Sequence, residues 1–208
     1  MYDFSTEAEK KLALFADEIY SWNPRYKLLS RTDGADRDRI MERHVLDSLS
    51  PVDLVMNTIG ALPRGAVLYD LGSGAGLPGI PLAIVLPELM GRPQPVVLVE
   101  RSGRRTRFLR YITSKLELEG VSVFEGDFVD LNVPAAEQAC VVFRALTEIS
   151  MEFVDALSAT FPEGTPVLAY KGRSASVKRE AERTGGTIHE PGGAGTPGVV
   201  LRFTVSGA

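Results

Sequence analysis

The 208-residue chain contains one cysteine, Cys140, and two histidines, His44 and His189. A lone cysteine excludes an internal disulfide and a cysteine-based metal cluster, a usage suited to a reducing compartment. Its apolar setting, ACVVF, predicts a buried strand position. No apolar run approaches the ~18 residues of a membrane helix, so no span is expected. The opening stretch MYDFSTEAEKK has no apolar signal segment, and a cytoplasmic protein is expected. Positive charge is also short: the net charge is −4 and the pI about 5.3. That excludes bulk cationic binding, so a nucleic-acid partner would have to be met by a local patch. Internal repeats and low-complexity linkers are absent. A hydrophobic content of 44% is enough for a core, and the length suits one α/β domain with extra structure attached.

Two patterns divide the chain. Phe4, Ala8, Leu12, Phe15, Ile19 and Trp22 alternate spacings of four and three, one face of an amphipathic helix that Pro24 is expected to stop. Residues 25–36 read as a polar loop. Met41, Val45, Leu49 and Val52 form a second helical stripe, broken near Pro51. Residues 1–60 are thus expected to form a helical extension, and 61–208 the main domain, in one compact unit. In the latter, AVLYDL (66–71), VVLVE (96–100), VSVFE (121–125), ACVVFRA (139–145) and PVLAYK (166–171) are short apolar runs of the kind buried on both faces of a parallel sheet. Helical stretches at 78–90, 102–119 and 147–160 lie between most of them, which predicts a doubly wound α/β fold. After a further helix at 174–185, TIHE (187–190) and VVLRFTV (199–205) have no helix between them, only the loop PGGAGTPG. They predict an antiparallel hairpin at the edge of a mostly parallel sheet.

The stretch DLGSGAGLPGIPLAIV (70–85) carries chemistry. A strand runs into Gly72, Gly74 and Gly76 and then a helix, the place where open α/β sheets bind ligands. Gly74, Gly76 and Gly79 spell the dinucleotide fingerprint G-x-G-x-x-G. Asp70 argues against that ligand, because a carboxylate beside the turn repels a pyrophosphate. It favours a ligand carrying positive charge, and S-adenosylmethionine has an ammonium, a sulfonium and no phosphate. D-x-G-x-G-x-G also resembles the first motif of Rossmann-like methyltransferases. Glu100, ending the second strand, is placed to accept from both hydroxyls of a ribose. After the third strand comes EGDF. There Asp127 resembles the residue that bonds the adenine amino group in such enzymes, with the backbone of Phe128 and Val129 around the ring.

Taken together, WNPRYKLLS (22–30), RHVLDSL (43–49), DLGSGAGLPGIPLAIV, VERSGRRTRFLR (99–110), FRAL (143–146) and YKG (170–172) resemble the bacterial 16S ribosomal RNA guanine-N7 methyltransferase family, the glucose-inhibited division protein B family. The resemblance spans residues 22–172 in order. It implies a class I Rossmann-like methyltransferase fold with a seven-stranded, mostly parallel sheet, an antiparallel C-terminal edge strand and an N-terminal helical extension. It also implies S-adenosylmethionine as cofactor and a guanine of 16S rRNA, free or in the small subunit, as substrate. Besides Asp70, the glycines, Glu100 and Asp127, the expected cofactor site includes Leu77, Arg101 and Arg144. Phe143 stands where the family has a small polar residue, and its bulk is expected to reshape the pocket floor.

Guanine N7 has a free lone pair and no proton, so its methylation needs no general base and should be flat in pH across the neutral range. Catalysis then comes mainly from holding two reactants in line within about 3–3.5 Å, helped by a donor to the guanine O6. Arg144 and Lys171, at the ends of the fourth and fifth strands, are the candidates for that donor, or for binding the methionine carboxylate. His44, next to Arg43, is expected to shape the site rather than to accept a proton. Asp47 lies one helical turn beyond Arg43 and could pair with it.

RNA contact is expected at Arg43, Arg104, Arg105 and Arg107. Residues 100–110 hold five arginines against one acid. Tyr26, Phe143 and Tyr170 are candidate stacking partners. A monomer that binds no metal is expected. The rival readings are a small-molecule methyltransferase, an NAD-binding oxidoreductase and a non-catalytic RNA-binding protein of ribosome assembly.

Overall fold

The computed structural model describes residues 3–191 and 198–206. The first stripe forms helix α1, Thr6–Tyr26. Ser5 caps it, its Oγ accepting from Ala8 N at 3.2 Å and so satisfying one first-turn donor. Leu12, Phe15 and Ile19 are buried, and truncating the enclosed Phe15 to alanine would cost about 3–5 kcal/mol. Pro24 does not stop the helix as its sequence position predicts; it sits in the last turn. The carbonyl it leaves unbonded belongs to the exposed Tyr20, where water can serve it. The stop comes at Lys27, left-handed at φ 52°, whose N–H donates to Asn23 O.

The second stripe is not one regular helix. Asp36 caps α2 (Arg37–Ile40), Met41–Leu46 winds as a π-helix, and α3 (Asp47–Leu49) returns to α geometry. The five-residue step between buried Ile40 and Val45 fits the wider turn. Past Pro51 comes α4 (Val52–Gly60).

The five apolar runs are strands: β1 (Val67–Leu71), β2 (Val96–Glu100), β3 (Val121–Glu125), β4 (Ala139–Arg144) and β5 (Pro166–Gly172). All five pair in parallel. With β6 (Thr187–His189) and β7 (Gly198–Thr204) they make one seven-stranded sheet of order β3-β2-β1-β4-β5-β7-β6. The expected hairpin holds the edge, but its antiparallel strand β7 lies one place in, paired with both β5 and the short β6. Most of the loop between them, 192–197, falls outside the described residues.

Alternation along the strands sends residues to two faces. Leu68, Cys140, Val142 and Leu168 join one buried cluster with α1, α4, α5 (Gly79–Met90) and α6 (Gly103–Lys115). Leu71, Val141 and Phe143 join the other with α7 (Met151–Thr160) and α8 (Ala175–Thr184). Burial pushes the Cys140 thiol up to about 12, as befits an inert strand residue. Strand order reverses between β1 and β4, so the glycine turn after β1 lies at the switch point.

Candidate active site

Gly72, Gly74 and Gly76 have positive φ of 66°, 58° and 90°, a region L side chains resist. Their surroundings differ. A Cβ on Gly76 would run into Ile80 and Leu109, and one on Gly79 into Asp70 and Leu98. Those two glycines let α5 and α6 close on the sheet. A Cβ on Gly72 would strike Leu146. On Gly74 it would meet only the Gly72 carbonyl oxygen, at 3.7 Å. Of these four, Gly74 turns bare backbone toward open space.

Glu100 sits under that turn, 4% exposed. Its Oε2 accepts from Gly74 N at 2.9 Å and its Oε1 from Ser102 N at 2.8 Å. Each oxygen keeps a lone pair for a further donor. Arg105 Nη1 lies 3.9 Å away. Gly126 N donates to the Glu100 carbonyl at 3.1 Å, which brings the half-buried Asp127 alongside. Asp127 and Asp130 form a reciprocal capping box around the turn Phe128–Asp130. Phe128 packs edge-on against Phe153 at 5.5 Å, and Val129 is exposed.

Asp70 is not where a ligand's cation could touch it. It shares with Leu68 the sheet face covered by α5 and has no exposed surface. Its Oδ2 accepts from Gly79 N at 3.0 Å, at the start of α5, where the helix dipole favours an acid. Its Oδ1 has no partner, and burial pushes the carboxyl up to about 7. Asp70 therefore pins the turn to its helix. Leu77 is likewise buried, while Arg101 is exposed.

Arg144 leaves the end of β4 toward the π-turn. Its Nη2 lies 3.0 Å from His44 Nδ1, and its Nη1 3.4 Å from both Asp47 Oδ2 and the His44 carbonyl. A guanidinium only donates, so Nδ1 accepts and the neutral ring carries its proton on Nε2. That nitrogen is buried, 3.9 Å from Asp33. Burial first, then Arg144, hold His44 below its ordinary pKa, against the opposing pull of Asp33. Asp47 thus pairs with Arg144 rather than with Arg43, which is exposed. The wider π-turn sets the register that faces Asp47 to the sheet.

A model of the family described as GidB, rRNA small subunit methyltransferase G, matches residues 8–190. The chain belongs to this family. It is 34% identical over 172 residues to ribosomal RNA small subunit methyltransferase G of Chromohalobacter salexigens, covering 83% of this chain and 73% of that protein. To the protein of the same name from Chloroflexus aggregans it is 35% identical over 182 residues, covering 84% and 70%. Among solved structures it shares the fold of magnesium protoporphyrin IX methyltransferase from Synechocystis with bound SAM, at TM-score 0.60 and 14% identity, covering 92% of this chain and 97% of that one. It also resembles an RNA methyltransferase from Salinibacter ruber in complex with S-adenosyl-L-homocysteine, at TM-score 0.50 and 22% identity, covering 75% and 91%.

Lys171 does not extend toward Arg144. Its Nζ donates to the Thr147 carbonyl at 2.8 Å, lies 2.9 Å from Glu180 Oε2, and sits 5.8 Å above the Phe143 ring. Arg183 donates to the Ile149 carbonyl. Two cations thus strap the β4–α7 loop to α8, and the loop lays Leu146 over Gly72. Phe143 is wholly enclosed, edge-on to Phe153 at 5.3 Å, on the face opposite Arg144. It forms no pocket floor. Tyr170 is buried and its hydroxyl donates to the Ser48 carbonyl at 3.2 Å. Tyr26 packs on Trp22 at 4.5 Å.

Arg104 and Arg107 are exposed one turn apart on α6, beside the carboxyl end of β2. Arg110 pairs with Glu125 at 2.8 Å. Sequence reasoning singled out neither Asp33 nor Leu146. Asp33 opens a short 3-10 turn, Asp33–Ala35, and Leu146 lies on a loop, and only the closed fold brings them to His44 and Gly72. No described helix is long and apolar enough to cross a membrane.

Proposed function

We propose that this chain is an S-adenosylmethionine-dependent methyltransferase that modifies the N7 of one guanine in 16S ribosomal RNA, acting as a cytoplasmic monomer. Family membership supports the rRNA substrate. The observation that carries the cofactor reading is the bare backbone of Gly74 above the buried Glu100. A cradle of peptide groups backed by acids suits a cationic, ribose-bearing ligand. Gly74 lines it with bare backbone, Gly72 bounds it beneath Leu146, and Glu100 accepts from the ribose hydroxyls. Asp127, with the backbone of Phe128 and Val129, takes the adenine end, and Arg101 lies at the rim. Asp70, Gly76 and Leu77 hold the cradle's shape from beneath.

Bound in this cradle, S-adenosylmethionine would supply a methyl on a positively charged sulfur, the N–C bond to guanine forming as the S–C bond breaks. The nitrogen lone pair makes that bond without releasing a proton. His44 suits such a reaction: Arg144 occupies one ring nitrogen and the other is buried, which leaves it to orient the guanidinium. Arg144 is the remaining cation for a carboxylate or for guanine O6. Lys171 positions the loop that carries Leu146. Arg43, Arg104, Arg105 and Arg107 receive the RNA backbone.

Calorimetry with S-adenosylmethionine and with NAD separates this reading from the oxidoreductase one. Binding of the former alone is expected; binding of NAD alone would overturn it. Transfer to small-subunit RNA but not to its 7-deazaguanine form is expected as well.

A further inference from the structure

A second cavity adjoins the glycine turn without belonging to it. It lies at the carboxyl edge of β4 and β5, an open cleft of about 240 Å3. That is on the order of eight water volumes, room enough for one planar base. Asp47 and Ser50 face it from the α3 side and Arg144 from β4, with Tyr170, Val199 and Val200 as largely apolar wall. Ala145 also lines it, and the next residue, Leu146, lies over Gly72. Consecutive residues of the chain therefore border this cavity and the cofactor cradle.

Methylation at N7 constrains how the base is gripped. The N7 and O6 edge has to face the methyl donor and Arg144, so the other side of the ring is left for a further grip. Guanine presents two adjacent donors there, N1–H and the N2 amino group. Adenine presents a bare N1 acceptor and no such pair. Two adjacent donors call for two adjacent acceptors, which is what a carboxylate offers. Asp47 is the one acid lining this cavity. Its Oδ2 makes a long contact of 3.4 Å with Arg144, which keeps a compensating charge at hand without filling both oxygens.

We infer that this cavity seats the extruded target guanine and that Asp47 reads its N1–H and N2 amino group, making Asp47 the residue that selects guanine over adenine. The inference rests on the proposed N7 activity. A base in this seat has left its stack, as base-modifying enzymes require.

The test uses small-subunit RNA in which the target guanine is replaced by inosine. Inosine keeps N7, O6 and N1–H and lacks only the N2 amino group. Wild-type kcat/KM should fall by at least about tenfold on inosine, the scale of losing one hydrogen bond to a charged group. In Asp47→Leu and Asp47→Ala, which leave no acceptor, guanine and inosine should be used at equal rates. A variant that yields no product is read by binding, with S-adenosylhomocysteine present. Guanine and inosine RNA should then bind it equally while the wild-type chain separates them. Discrimination that persists in the Asp47 variants, or a wild-type chain indifferent to inosine, overturns the inference. A wild-type chain that methylates neither RNA instead overturns the activity on which it rests.

Discussion

Arg144 donates to His44 Nδ1 across 3.0 Å, joining the end of β4 to a π-turn 100 residues earlier in the chain. The bond exists only while His44 is neutral, because a protonated ring presents N–H toward the guanidinium. Asp47 and the His44 carbonyl complete the grip on the same side chain. The helical segment thus reaches into the candidate active site and sets the direction of its main cation.

That bond fixes a pH dependence of stability. His44 has its pKa lowered by burial and by Arg144. As pH falls below about 6.5 the unfolded chain takes up the proton before the folded one, so stability declines until pH passes the folded value. His44→Gln removes this contribution. Urea unfolding at pH 7.5 and pH 5.5 should show a smaller loss in the variant than in the wild-type chain. Equal losses would mean that burial and Arg144 do not hold His44 neutral.

Asp70 has the opposite sign. Its folded pKa is raised to about 7 from an ordinary 3.8. Its stabilising share is complete below about pH 3.8 and is lost as pH rises through 7. Asp70→Asn escapes that loss. Between pH 4.5 and pH 8, its stability relative to the wild-type chain should improve by roughly 2–4 kcal/mol. A pH-independent difference would contradict the raised pKa of the buried carboxyl.

Gly74 and Gly76 should separate in their effects. Gly74→Ala meets open space and pays only for positive φ, about 1–2 kcal/mol, yet it should weaken cofactor binding at least about tenfold. Gly76→Ala runs into Ile80 and Leu109 and should lose more stability than that. Melting curves and calorimetry on both variants check the contrast; undiminished binding by Gly74→Ala would move the cofactor elsewhere.

Reversing charge at Arg104 and Arg107 together should weaken RNA binding and flatten its salt dependence. Cofactor affinity should stay within about twofold, since no contact of either side chain with the cradle is found among the described residues. Binding isotherms from low to high salt measure this. An unchanged slope would return the two arginines to a merely solvated helix face.

Most of the architecture was legible because its signals are local. Short Val- and Leu-rich runs gave the five parallel strands, and glycine spacing placed the turn. Signals that depend on closure were not. Asp70 reads as a ligand-facing acid until strand alternation carries it under α5. Lys171 reads as a free strand-end cation until the β4–α7 loop and Glu180 meet it. The partner of Asp47 changes because a π-turn, which regular helical spacing cannot express, rotates it toward the sheet. Pro24 was expected to end a helix that had one more exposed turn to spare.

The most direct measurement of the central claim is the identity of the methylated nucleoside. Small-subunit RNA lacking the modification is incubated with the protein and isotopically labelled S-adenosylmethionine, then digested to nucleosides and analysed by mass spectrometry. The account predicts label in 7-methylguanosine, at about one methyl per RNA. Label in any other nucleoside, or none at all from a folded protein that binds the cofactor, would contradict it.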